Sequence, residues 1–130
     1  MFKGSSPSEV EQPISGVLTS PNYPARYPNN LDLFQKIQVP EGKTIWIRFT
    51  DFDIELGIDQ VFVSDAPIDG HGTLFNSHTG SSAWEKQIVS NTNTVEVYFH
   101  SDGSLAERGW RLEWGECQAI LIASLIFSML

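Results

Sequence analysis

Three stretches of the chain alternate apolar and polar residues with a period of two. In KTIWIRFTDF, Ile45, Ile47 and Phe49 fall on one side, and Trp46 and Arg48 on the other. NTVEVYFH sets Val95, Val97 and Phe99 against Glu96, Tyr98 and His100. GWRLEW sets Trp110, Leu112 and Trp114 against Arg111 and Glu113. Such alternation predicts strands with one buried face. Shorter strands are expected at Gly16–Thr19, Lys36–Val39, Gln60–Ser64, Thr73–Asn76 and Gln87–Val89. Between them, PNYPARYPNN, PEGK, APIDGHG and SDGS carry the Pro, Asn, Asp and Gly that turns require. Outside the C-terminal tail no stretch has a sustained helical period. Many short strands at regular turn spacing predict an all-β, antiparallel β-sandwich.

The pattern divides the chain into three parts. Residues 1–13 are polar and read as a flexible lead-in. Residues 14–116 form the body. From residue 117 onward the chain is an apolar tail, and 119–130 reads AILIASLIFSML. Those residues are too few to span a bilayer, which needs about 20. The tail reads as a truncated span, an anchor signal lacking most of its polar spacer, a docked final element, or a splice-derived end. Contact with a membrane is expected only through this tail. The N-terminal residues have no apolar core and are not a secretory signal.

Composition narrows the function classes. At 130 residues with 41% hydrophobic and 12% aromatic residues, the chain can bury a core of its own. Sixteen acids against eight Lys and Arg give a net charge of −8. A nucleic-acid partner is excluded, because there is no basic footprint to release counterions from phosphates. Cations and basic protein surfaces fit better. Cys117 is the single cysteine, so no disulfide forms within the chain.

The acids are not evenly spread. DFDIELGID carries Asp53, Glu55 and Asp59 where one alternating run stops, and FHSDGS carries Asp102 where another stops. If those strands are neighbours, the carboxylates converge at one end of the sandwich. Hard, oxygen-rich clusters of this kind suit Ca²⁺, which takes six to eight oxygen ligands. On the residues alone, a metal site and a set of solvated loop acids stand level.

Other constellations lead to blander readings. His100, Ser101 and Asp102 are consecutive, so their side chains diverge and cannot relay a proton. His71 and His78 lack further ligands for zinc. Trp110 and Trp114 share a face with Leu112 and are expected in the core, whereas Trp46 and Trp84 are free to lie on the surface. No phosphate-cradling glycine loop is present.

The ordered strings LTSPNYPARYPNN, IQVPEGKTIWIRFTDFDIE and VSNTNTVEVYFHSDGSLAERGWRLEW resemble a CUB domain from about Gly16 to Trp114. The resemblance implies a jelly-roll-like sandwich from an extracellular protein, non-catalytic, that binds other proteins. It also implies a Ca²⁺ site, with Glu55, Asp59 and Asp102 as carboxylate ligands and the Ser104 carbonyl as a further one. Tyr23 is implied to steady Glu55 by hydrogen bonding. Asp53 is a turn residue first and a ligand second. Four cysteines are usual in the family. Here Leu33 and Thr79 stand at two of their positions, the loop carrying another is reduced to Leu56, Gly57 and Ile58, and the first is missing.

The leading expectation is therefore a secreted or extracellular binding module, in which Ca²⁺ orders one end and acids meet a Lys or Arg of a protein partner. A glycan-binding module of spermadhesin type is the alternative, and a small two-carboxylate hydrolase a third. The oligomeric state is open.

Overall fold

A computed structural model describes residues 13–55, 57–65, 72–77 and 83–117. Among the described residues, eight strands form two four-stranded antiparallel sheets. They are β1 (Ser15–Thr19), β2 (Asp32–Gln38), β3 (Thr44–Asp53), β4 (Gln60–Ser64), β5 (Thr73–Asn76), β6 (Ile88–Val89), β7 (Thr94–His100) and β8 (Gly109–Cys117). One sheet has the order β1-β8-β3-β6 and the other β2-β7-β4-β5. A 3₁₀ turn, Ala83–Glu85, precedes β6.

The period-two pattern sorts the side chains as expected. Ile45, Ile47, Phe49, Val95, Val97, Phe99, Trp110 and Leu112 are all buried, and with Val61 and Val63 they fill the space between the sheets. Each fully buried aliphatic side chain contributes about 1.5–3 kcal/mol. Edge-to-face contacts tie the layers: Phe99 meets Trp110 at 5.9 Å and Tyr27 at 4.9 Å. Trp84 stacks on Phe52 at 6.0 Å and packs against the core. Trp46 lies over Gly115, where an added Cβ would come within 2.5 Å of the indole.

Some strands differ from the alternation. β2 begins at Asp32, four residues earlier than its apolar signal, because Asp32–Gln38 pairs residue for residue with β7. β8 runs on through Cys117, opposite Thr44, so Cys117 ends the strand instead of following it. The expectations for the lead-in through residue 12, for His71 and His78, and for residues 118–130 lie outside the described residues. Among the described residues, no helix is long and apolar enough to cross a membrane.

Candidate metal centre

Strand order brings the two acidic runs together. β4 and β7 are neighbours, with Gln60 opposite His100. Asp59 precedes Gln60 and Asp102 follows His100 by two residues, so both lie at the same sheet end. Glu55 returns to that end through a tight turn, in which the Ile58 and Asp59 N–H groups donate to the Glu55 carbonyl at 3.2 and 2.9 Å. Gly57 sits in this turn at φ +84°, a conformation that costs glycine little. One carboxylate oxygen from each of Glu55, Asp59 and Asp102 lies within 4.8 Å of the others.

Asp59 is fully buried and held at both oxygens. Oδ1 accepts the Asp102 N–H at 3.0 Å, and Oδ2 accepts the Tyr27 hydroxyl. The Tyr27 oxygen in turn accepts the Glu55 N–H at 3.2 Å. Burial, and then the bond to Asp59, push the Tyr27 phenol well above its usual range, so it remains a donor at any ordinary pH. Burial also raises the Glu55 carboxyl, with the charges of Asp102 and Asp59 adding to it. Glu55 Oε1 is buried and has no hydrogen-bond partner. Among the described residues, no ion pair joins a Lys or Arg to any of the three acids.

The turn after β7 is pinned separately. Ser101 Oγ donates to the Pro28 carbonyl at 2.8 Å and accepts the Leu31 N–H at 3.0 Å. The Asn30 N–H donates to the Asp102 carbonyl at 2.7 Å. The Ser104 N–H donates to Asp102 Oδ1 at 3.1 Å, placing Ser104 on the turn that carries the acid. His100 points elsewhere, to Asp32 at 2.8 Å. His100, Ser101 and Asp102 thus have three separate sets of partners.

Tyr23 occupies a different place from the one the resemblance implied. Its hydroxyl donates to Asp51 Oδ2 at 2.6 Å and not to Glu55. The phenol among the acids is Tyr27, from the second Tyr-Pro of the same turn. Arg108 forks onto the neighbouring acids, with Nε and Nη2 at 2.7 and 2.5 Å from the two Asp51 oxygens and Nη1 at 2.8 Å from Asp53. Asp53 is thereby engaged in an ion pair. Neither the Tyr27 contact nor the Arg108 fork was anticipated. The repeated Tyr-Pro and an arginine two residues before Trp110 were the only signals available.

An unpartnered buried carboxylate oxygen beside two more acids is an all-oxygen donor set whose chemistry suits Ca²⁺. The sequence profile of the CUB domain family matches residues 8–114. The chain belongs to the CUB domain family. It is 35% identical over 112 residues to cubilin of Sus scrofa, covering 82% of this chain and 3% of cubilin. It is 34% identical over 108 residues to blastula protease 10 of Paracentrotus lividus, covering 80% of this chain and 17% of that protein. The chain therefore spans a small fraction of the length of these relatives. Among solved structures, the MASP-1 CUB2 domain bound to Ca²⁺ is similar, with a TM-score of 0.65 and 29% identity over 77% of this chain and 90% of that one. CUB domains are non-catalytic modules of extracellular proteins that mediate protein interactions.

Proposed function

We propose that this CUB domain is a Ca²⁺-dependent protein-binding module of an extracellular protein. Glu55, Asp59 and Asp102 would hold the ion, with the Ser104 carbonyl as a further ligand. The observation that carries the reading is the convergence of the three carboxylates around a buried Glu55 oxygen that has no partner. The Ca²⁺-bound state of the similar MASP-1 CUB2 domain supports it. When bound, Ca²⁺ supplies the positive charge that offsets the repulsion among these acids.

The chain's own residues prepare the site. Tyr27 orients Asp59 and ties it to the Glu55 backbone, while the Asp102 N–H fixes the other Asp59 oxygen. The three acids belong to two loops, so an ion held between them would order that end of the sandwich. A Lys or Arg of a partner protein then meets a carboxylate at the rim in a charge-assisted hydrogen bond. The net charge of −8 favours such a basic partner.

Calorimetry tests the reading. Ca²⁺ should bind with a dissociation constant of about 10⁻⁴–10⁻³ M, the range of extracellular modules. Asp102→Ala should abolish the heat. Absence of heat with the unaltered chain would refute the metal assignment.

A further inference from the structure

The outer face of the sheet begins where the acid cluster ends. Asp32, His100 and Gln60 form its first row across β2, β7 and β4. His100 lies two residues from Asp102, and Gln60 is next to Asp59. Phe34, Tyr98 and Phe62 form the second row. Phe34 is 60% exposed, and its ring lies 4.7 Å from that of Tyr98 at a tilt of 37°. Single exposed apolar residues are ordinary, but an aromatic row that adjoins a charged site is not a scattered one.

Asp32 links the two rows. Its Oδ1 accepts the Tyr98 hydroxyl at 2.8 Å and lies 2.8 Å from His100 Nδ1. Burial, and then the bond to Asp32, push the Tyr98 phenol up to about 12, so it stays a donor and its ring stays anchored. An aromatic surface held in place loses little conformational freedom on binding.

An exposed pair between a rim carboxylate and one basic side chain is too weak to hold a protein partner. Specific interfaces cover roughly 800 Å² on each side and draw most of their energy from a few hot-spot residues, among which Trp, Tyr and Arg are enriched. We infer that the partner whose Lys or Arg reaches Glu55 or Asp102 also lays an apolar side chain on Phe34 and Tyr98. The inference rests on the docking role proposed above for the acid cluster. The occupant is an extended polypeptide segment with its basic residue toward the metal end. Charge sets this polarity, because Glu55 and Asp102 are partly exposed above the buried Asp59, whereas Lys36 stands beyond the aromatic row, opposite Glu96.

The sheet also sets the spacing. Tyr98 and His100 are two residues apart on β7, about 6–7 Å, and Asp102 lies two residues past the end of that strand. The two anchor points are thus at most about 14 Å apart, which an extended peptide covers in about four residues.

A phage-displayed random peptide library panned on the whole chain in Ca²⁺ tests this. Enriched peptides should carry a Lys or Arg and an aliphatic or aromatic residue about four positions apart. Phe34→Ala should weaken a synthetic peptide of that pattern at least tenfold, Phe34→Trp should retain it, and Ca²⁺ heat and melting temperature should not change in either variant. Failure to enrich any peptide, enrichment of basic residues alone, or wild-type affinity in Phe34→Ala would overturn the inference and leave the metal reading standing. Dimers in sedimentation that Phe34→Ala dissolves would overturn it in favour of a second copy of this chain. Loss of Ca²⁺ heat, with peptide binding still dependent on Phe34, would instead refute the metal reading and keep the aromatic anchor.

Discussion

The Tyr27 hydroxyl donates a hydrogen bond to Asp59, a carboxylate with no solvent exposure. The same oxygen accepts the Glu55 N–H, so one phenol joins both acids of the short loop. Tyr27→Phe keeps the ring contact with Phe99 and removes only this hydroxyl. Asp59 Oδ2 and the Glu55 N–H would both lose their partner. Leaving buried polar groups unsatisfied costs about 1–3 kcal/mol. Thermal melts should show that loss without Ca²⁺, and calorimetry should show weaker Ca²⁺ binding. Tyr23→Phe, which touches Asp51 instead, should leave Ca²⁺ affinity unchanged.

A ligand that binds only the folded state stabilises it by mass action. At ten times the dissociation constant the gain is RT ln 11, about 1.4 kcal/mol. For a domain of this size, the melting temperature should rise by about 5–7 °C. Chelation by EDTA should reverse the rise, and Asp59→Asn should remove most of it. The effect carries particular weight in a chain whose single cysteine rules out an internal disulfide.

Two glycines near the site should respond differently to alanine. Gly57 has φ +84° but open space around its Cα, so Gly57→Ala meets backbone strain alone, about 1 kcal/mol. Gly109 has φ +96°, and a Cβ there would lie 1.9 Å from Ser20 Oγ and 3.4 Å from the Tyr27 ring. Strain and collision combine, so Gly109→Ala should cost at least about 3 kcal/mol. Denaturant titrations of the two variants would rank them. A smaller loss in Gly109→Ala than in Gly57→Ala would contradict the packing described around Ser20.

Most of the fold was legible because it depends on local alternation. The strands carrying Ile45, Val95 and Leu112 each bury one face, and that leaves a period of two in the sequence. β2 extends beyond its apolar signal because Phe34 lies on the outside and Leu33 and Gln35 are half-buried, so its first half lacks a clean apolar face. The meeting of Glu55, Asp59 and Asp102 follows from β4 lying beside β7, which no local pattern encodes. The choice between Tyr23 and Tyr27 was illegible for a similar reason. Both precede a proline in one turn, and only the packing of Tyr27 against Phe99 turns its hydroxyl toward Asp59.

The Asp51–Arg108 pair makes a separate prediction in acid. The Arg108 bond, with help from the Tyr23 hydroxyl, holds the Asp51 carboxyl down at about 2. A group whose folded value lies below its unfolded one stabilises the fold when ionised in both states. The contribution is therefore complete above the ordinary carboxylate value near 3.8 and fades as the pH falls through about 2. Arg108→Ala should lower stability measurably at pH 7, since the pair is charge-assisted although partly open to solvent. Toward pH 2 the variant and the parent should converge. Asp53→Asn should cost less at pH 7, because Arg108 contacts Asp53 through one nitrogen and Asp51 through two. Urea titrations at pH 7 and pH 2 on the three proteins would show this, and a pH-independent gap for Arg108→Ala would mean that its loss acts through packing of the arginine stem and not through charge.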